Sequence, residues 1–323
     1  MSAMTNKRIN NKKEKEVKTT LEQMRRRRKL KENLVAHLVI SPWLIGFFGL
    51  TLGPIIMSLY FSFTTYNIIS APRWIGWENY VTALTSDPRF WNSVQRTFMF
   101  VFISVPLRLA IALMLAQIFR VRRKGTALFT TVYYIPSIIG GSVAIAVVWR
   151  QLFGRTGAIN ALLSLFNFPG MFDGTYSWLA SPQMAIWTLI ILSLWQFGSP
   201  MIIFLAGLRQ IPAELYEAAE IDGASKRRKF ISITLPLLSP VIFFNLVMQL
   251  IGGFMVFNSG FLITRGGPIG STTFYSIYLY EMAFEVFRMG YASAIAWILL
   301  IIIGTMTGLV FWSQKHWVHY TGD

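Results

Sequence analysis

The side chains best placed to do chemistry gather in one polar stretch, Arg209 to Phe230, set between long apolar segments. Its acids Glu214, Glu217, Glu220 and Asp222 stand beside Ala218, Ala219 and Gly223, ahead of the cationic run Lys226-Arg227-Arg228-Lys229. Elsewhere the usual reactive constellations are missing. The chain has no Cys, so no disulfide framework, zinc cluster or thiol nucleophile is available. Its 3 His are spread along the sequence, which argues against a histidine metal site. HExxH and GxSxG do not occur, and nearly all acids fall in loops, so an intramembrane enzyme is improbable. No GxxxxGK[ST] loop is present either, so the chain should not itself bind ATP.

Within the polar stretch, Pro212 can take a first helical position, and Ala213 to Ile221 reads as a short helix of strong formers. Leu215, Ala218, Ala219 and Asp222 fall on one side of it, a small-residue face beside the acids. Gly223 allows a sharp change of direction, and Ala224 to Leu235 leads through Pro236 and Pro240 into the next apolar segment. Such a helix-turn-helix suits docking into a groove on another protein. A linker helix lying on lipid headgroups fits the same residues equally well.

The elements that hold this stretch are membrane spans. Of 323 residues, 54% are hydrophobic and only 14% are charged, whereas a soluble domain needs roughly 25% charged residues. Crossing a bilayer takes about 20 apolar residues, and six stretches qualify: His37–Phe63, Thr97–Phe119, Phe129–Trp149, Met184–Leu208, Leu237–Phe257 and Tyr291–Trp312. Gly140-Gly141 and Gly252-Gly253 are expected to interrupt the third and fifth. The first is too long for a signal peptide and lacks a small-residue cleavage pattern.

Charge sets the expected orientation. The net charge of +16 could suggest nucleic acid, but twelve of the 30 Lys and Arg precede Asn33. With the N-terminus inside, cytoplasmic segments hold 22 cations, including Arg120, Arg122, Arg123, Lys124, Arg209 and Lys315, and external ones hold 7. That asymmetry is what the positive-inside rule requires. Both termini are then cytoplasmic, the polar stretch faces the cytoplasm, and the basic tail needs only anionic lipid as its partner. The expected divisions are a tail over 1–34, a first span and external loop over 35–91, a transmembrane domain over 92–312 with its cytoplasmic loop at 209–236, and a tail over 313–323.

The run Glu217-Ala218-Ala219, then Gly223, then Ile233, Leu235 and Pro236, resembles the EAA motif of ABC importer permeases. Asp222, Ala224, Phe230 and Pro240 extend it to the form of the maltose-type carbohydrate permeases. The resemblance covers roughly Asn92 to Trp312. It implies an all-α polytopic protein of the type I ABC importer permease fold, with six transmembrane helices, in the bacterial cytoplasmic membrane. It also implies that Tyr216, Glu217, Ala218, Ala219, Asp222, Gly223, Ala224 and Ser225 couple to an ATPase, with Glu217 an ionic contact and Gly223 the bend. Implied partners are a second homologous permease in a heterodimer, two ABC ATPase subunits and an extracytoplasmic solute-binding protein. ATP and magnesium would reside on the ATPases, and this chain would bind no cofactor, no metal and no nucleic acid.

Thr264-Arg265-Gly266-Gly267-Pro268 and Tyr278-Leu279-Tyr280 resemble the sugar branch of that family, although turn chemistry and an interfacial aromatic belt would also use these residues. Similarity through Trp195 and the Gly-Gly-Pro turn points to a substrate pathway of Ser193, Trp195, Gln196, Phe197 and Gly198 with Gln249, Gly253, Phe254, Phe257 and Asn258. Sugars call for aromatic faces beside amides and hydroxyls, yet for any single aromatic here packing against a neighbouring helix is the commoner role. Gln196 and Gln249 are the stronger candidates, because an unsatisfied amide in lipid costs free energy. Span five departs from the Asn-rich family pattern, which points away from maltose itself. Arg108 sits inside span two, where a charge must pair or face a cavity. It either helps an acidic, uronate-type oligosaccharide of the alginate kind through or belongs to a buried pair. The loop Arg150 to Gln183 is too short for a large inserted domain, so contacts to a binding protein fall to smaller loops. A permease for another solute remains open, as does an ATP-independent channel or secondary transporter, which would need no ATPase.

Overall fold

A computed structural model describes residues 26, 28–29, 31–121, 124–165 and 177–319. Most of the basic tail, Arg122 and Arg123, part of the loop Arg150 to Gln183, and the last four residues lie outside the described residues. Two compact units are distinguished, residues 1–60 and 61–323.

The first unit contains most of helix α1 (Lys31–Ser62), long and apolar enough to cross a membrane, with a π-helical stretch at Phe47–Leu52. Its apolar side chains, Leu38, Ile45 and Leu50 among them, are exposed. That suits a helix whose solvent is hydrocarbon rather than water.

In the second unit, a two-stranded ribbon pairs β1 (Thr64–Thr65) antiparallel with β2 (Arg73–Trp74), Thr64 opposite Trp74. A short helix α2 (Glu78–Val81) follows, and then α3 (Pro88–Phe119), the organising helix of the fold. Asp87 caps α3 by accepting hydrogen bonds from the backbone N–H groups of Arg89 and Phe90, and Pro88 supplies the preset first-turn φ. The helix starts nine residues before the expected Thr97 because this cap initiates it ahead of the apolar run.

Four more candidate crossings follow α3. The third span is a bent pair, α4 (Thr126–Ile139) and α5 (Val143–Leu152), which meet at 96° across Gly140-Gly141. A small helix α6 (Ala158–Ser164) follows. The fourth span is α7 (Ala185–Trp195) and α8 (Gly198–Gln210), interrupted at Gln196-Phe197 where no interruption was expected. Conversely, α11 (Leu235–Phe254) runs unbroken through Gly252-Gly253 and turns only at Met255, before α12 (Asn258–Ile263). Gly253 serves packing here, since an added Cβ would lie 3.1 Å from the Val101 side chain on α3. After a loop come α13 (Tyr275–Tyr280) and the last span, α14 (Met289–Gln314).

The core forms where α7, α8, α11 and α13 pack on α3. Ala112 and Ala116 let the neighbouring helices approach, and Leu189, Leu192, Met201, Phe204 and Leu208 fill the contact. A second core under the Asp87 end joins Phe90, Tyr275, Met282 and Ile295. The outward faces of α3, α5 and α14, such as Phe102, Val147, Ile301 and Leu309, remain apolar and exposed. This is an all-α, multi-spanning fold with five or six crossings, the number depending on whether the bent pair counts as one.

Candidate functional site

The break in the fourth span is the centre of the structure's polar chemistry. Where α7 stops at Trp195, the Gln196 carbonyl leaves the helical hydrogen-bond ladder. A freed carbonyl at membrane depth must find other donors. The Arg108 guanidinium supplies two, from Nε at 3.0 Å and Nη2 at 2.6 Å, and the Ser137 hydroxyl donates a third bond at 2.9 Å. Ser137 Oγ in turn accepts from the Ser199 backbone N–H at 3.0 Å, which secures the first turn of α8. Three elements, α3, α4 and the α7–α8 junction, are therefore tied at one carbonyl. Gly198 is required by this closeness: a Cβ there would stand 2.7 Å from the Tyr133 carbonyl oxygen and the Tyr134 Cα.

Beside this knot lies a cavity of about 440 Å³. Of the residues expected on a substrate pathway, the structure places Arg108, Ser193, Gln196, Gln249, Gly253, Phe257 and Asn258 on its wall. Four others are placed off it. Trp195 packs against Trp149 with ring centroids 6.0 Å apart, and Phe197 lies 5.9 Å from Tyr133. Phe254 is fully buried edge-on to Phe98, and Gly198 serves the close approach just described. The wall also includes Gly140 and Gly141, which the sequence marked only as a span interruption, and Ser104, Ser199, Met248 and Ser259, which carried no signal in the sequence. Among the described residues lining it, Arg108 is the one charged side chain, and no carboxylate shares the wall. From Phe257 an aromatic series leads away through Phe261 and Tyr280 to Phe284, with successive centroids 4.9, 5.2 and 5.2 Å apart. Such a lining offers amides, hydroxyls, one cation and ring faces, the complement of a polyhydroxylated ligand. Among the described residues, no group of three His, Cys, Asp or Glu is placed to hold a metal.

At the Phe119 end of α3 stands the polar loop. Helix α9 (Ala213–Ile221) has the expected bounds, but Pro212 is its N-cap, with ψ of 137°, rather than its first helical residue. Gly223 adopts φ of +71° and has no neighbour within 4 Å of an added Cβ. The backbone conformation, not crowding, is therefore what calls for glycine. Ser225 then caps the next turn, α10 (Lys226–Lys229), by accepting from the Arg228 N–H. The helix continues through a π-helical stretch at Phe230–Thr234 into α11.

The loop is anchored on one side only. The Tyr216 hydroxyl and Thr234 Oγ1 are 2.8 Å apart, and the Arg120 guanidinium lies over the Tyr216 ring at 3.9 Å. Lys229 bonds Glu220 at 2.9 Å and thereby holds the Glu220 carboxyl below the usual carboxylate range. Ala219 and Ala224 are half-buried, whereas Glu217, Ala218, Asp222, Gly223 and Ser225 are exposed. Leu215 and Ile221 are exposed as well. The free face of α9 is thus acidic and apolar together.

The other end of α3 carries a second polar centre that the sequence did not signal. Asp87 accepts hydrogen bonds from the Tyr278 and Tyr291 hydroxyls as well as from its two capping N–H groups. Burial pushes its carboxyl up, but these four bonds outweigh burial and hold it below the usual carboxylate range. Arg89 pairs with Glu281 and lies over the Tyr278 ring. Asp87 preceding Pro88 is a readable cap, but partners 191 and 204 residues away leave no local trace.

A sequence profile of the family described as binding-protein-dependent transport system inner membrane component matches residues 80–318. The chain belongs to that family. It is 50% identical over 292 residues to the probable ABC transporter permease protein YesP of Bacillus subtilis (strain 168), covering 90% of this chain and 93% of that one. It is also 30% identical to the probable starch degradation products transport system permease protein AmyD of Thermoanaerobacterium thermosulfurigenes, over 86% of this chain and 93% of the relative. Among solved structures, a chain of a bacterial alginate ABC transporter, in complex with an alginate pentasaccharide-bound periplasmic protein, aligns with a TM-score of 0.77. That alignment covers 89% of this chain and 96% of the other at 22% identity, and it shows a common fold. The protein is a multi-pass membrane permease subunit of an ABC transporter, working with a solute-binding protein and ATPase partners.

Proposed function

We propose that this chain is one half of a heterodimeric pathway for oligosaccharides in an ATP-driven importer of the bacterial cytoplasmic membrane. The observation that carries the reading is the single cavity where Gln196, Gln249, Asn258 and the serine hydroxyls meet Phe257 beside the broken fourth span. Sugar names among the relatives, starch degradation products and alginate, support the same class of cargo.

In this reading the Asp87 end of the bundle faces outward and the α9 loop faces the cytoplasm, with both termini inside. The loop is an EAA motif of the maltose-type permeases, and its exposed face of Glu217, Ala218, Asp222 and Gly223 docks on one of two ATPase subunits. The anchored side, Tyr216 on Thr234 and Arg120, would transmit movement of the ATPase to α11 and α3. Alternating access follows if ATP-bound and ATP-free partners bind this loop with different free energies in the two states. The core domain over 92–312 carries the pathway, and the basic tail over 1–34 and the short tail over 313–323 rest on the inner leaflet.

Within that class, an acidic oligosaccharide is favoured by one observation: among the described residues the cavity wall carries the Arg108 cation and no carboxylate. The test is stimulation of ATPase activity in the reconstituted complex by a binding protein loaded with oligosaccharides, amino acids or peptides in turn. Stimulation by oligosaccharides alone is expected. Stimulation by amino acids or peptides with none by saccharides would overturn the reading.

A further inference from the structure

Helices α4 and α8 meet closely at one end only. Gly198, at the start of α8, lies so near α4 that an added Cβ would stand 2.7 Å from the Tyr133 carbonyl oxygen. Towards the α9 end a groove of about 480 Å³ opens between the two helices. Thr126, Thr130 and Tyr134 of α4 wall one side, and Ile202, Leu205 and Arg209 of α8 wall the other.

The groove changes character with depth. At about 1.5 Å of rise per residue, Tyr134 stands about 12 Å deeper than Thr126, and Ile202 about 10 Å deeper than Arg209. The cation and the first threonine therefore share the shallow end, while Ile202, Leu205 and Tyr134 line the depth. Thr130 Oγ1 donates to the Thr126 carbonyl at 2.7 Å and Thr131 Oγ1 to the Ala127 carbonyl at 3.0 Å. Those hydroxyls are satisfied within α4 and need no partner across the groove. Leu128, Val132 and Ile135 on α4 and Ile203 on α8 are exposed, as suits helices bathed in hydrocarbon.

Arg209 is the one charge on the groove wall, and it is exposed. Among the described residues no ion pair reaches it. Lys124, exposed just ahead of α4, adds a second cation to the shallow end. Water would fill the shallow end but finds few polar partners in the depth. An apolar helix of another subunit would fill the depth and bring no counter-charge to Arg209. A molecule with an anionic head and a hydrocarbon tail matches both ends, and basic pockets between membrane helices are where such lipids bind.

We propose that the α4–α8 groove binds one anionic phospholipid, its phosphate on Arg209 and an acyl chain between Thr130, Ile202 and Leu205. The site belongs to the α9 end of the bundle, so it does not depend on which side of the membrane that end faces. Helix α8 ends at Gln210 and passes through Ile211 and Pro212 directly into α9. A lipid held at Arg209 therefore braces the root of the α9 loop.

The test is photocrosslinking of the full transporter in phosphatidylcholine nanodiscs doped with a photoactivatable phosphatidylglycerol, with adducts located by peptide mapping. Adducts on this chain within residues 126–134 or 202–209 are expected, competed by unlabelled phosphatidylglycerol and not by the same amount of phosphatidylethanolamine. Arg209→Gln should lower their yield about fivefold, the share of one cation at a membrane surface. Thr131→Trp, on an exposed position of the wall, fills the groove and keeps the cation, and should lower the yield similarly. Both variants should melt like wild type in phosphatidylcholine alone. Lys315→Gln removes a cation that does not line the groove and should change nothing. Adducts confined to other subunits assign the groove to a protein neighbour and overturn the proposal. Equal competition by phosphatidylethanolamine, or an equal loss in Lys315→Gln, reduces the effect to a general lipid or surface-charge preference and overturns it too. Wild-type yield in Arg209→Gln refutes it outright.

Discussion

Replacing Arg108 with Met tests whether the cavity's cation serves cargo or fold. The substitution removes two N–H donors from the Gln196 carbonyl, at 3.0 and 2.6 Å. Hydrogen bonds to charged groups contribute about 1.5–3 kcal/mol, but two terms oppose that loss. The Gln196 carbonyl keeps the Ser137 hydroxyl at 2.9 Å, so it is not left unpaired. The desolvation cost of a half-buried guanidinium also disappears. The net stability change should therefore stay within about 2 kcal/mol. The effect on an acidic cargo should be larger. A carboxylate about 4 Å from the guanidinium gains about 4 kcal/mol at an effective dielectric of 20. Partial desolvation of the carboxylate reduces this to about 1.5–3 kcal/mol, or roughly 10- to 100-fold in affinity. The assay is uptake by the reconstituted complex of acidic and neutral oligosaccharides of equal length, alongside thermal melting of the purified complex. Selective loss of acidic uptake with a nearly unchanged melting temperature is expected. Parallel loss of both cargoes, or equal retention of both, would refute the assignment of Arg108 to cargo charge. A collapse in melting temperature would instead make it a structural tie.

Three further outcomes follow from the geometry. Glu217→Lys reverses the charge on the exposed face of α9, so it should abolish transport and ATPase co-purification while the chain inserts at normal levels, as blotting of membranes would reveal. At Gly223, where φ is +71° and no neighbour crowds the position, Asn should be tolerated and Ala should cost about 1–2 kcal/mol. Pro, with φ fixed near −65°, should abolish uptake; equal uptake by all three variants would contradict this. Asp87 is held below the usual carboxylate range in the folded state. Its contribution to stability is therefore present above the unfolded carboxyl pKa of about 3.9 and lost as pH falls through the lower folded value. The melting-temperature difference between wild type and Asp87→Asn should accordingly be largest near neutral pH and shrink below about pH 4, whereas a pH-independent difference would contradict the role of the charge.

Local pattern carried much of this into the sequence. Runs of apolar residues give the crossings, because hydrocarbon thickness sets their length, and the Gly140-Gly141 pair marks the bend of the third. The same logic applied to Gly252-Gly253 fails, since Gly253 serves close packing against Val101 and the helix continues through it. The break at Gln196-Phe197 has a local cause four residues on, since Pro200 has no N–H to give the Gln196 carbonyl and its ring crowds that oxygen. Arg108 and Ser137, on other helices, satisfy the carbonyl so released, and those partners leave no local trace. Polar residues inside spans, such as Gln196, Gln249 and Arg108, stand out from an apolar background, so their placement on one cavity could be anticipated. Ser104 and Ser259 do not stand out, because a serine in a span can bond its own helix. The Asp87–Tyr278–Tyr291 knot depends wholly on contacts between distant segments.

The central claim is that this chain moves oligosaccharide only as part of an ATP-driven importer. The measurement that tests it most directly is accumulation of labelled oligosaccharide in proteoliposomes carrying this chain and its sister permease, with the ATPase subunits, ATP and binding protein each omitted in turn. The account predicts accumulation with the complete set and none when any one is missing. Uptake that persists without the ATPase subunits, or a complete system that moves no saccharide, would contradict it.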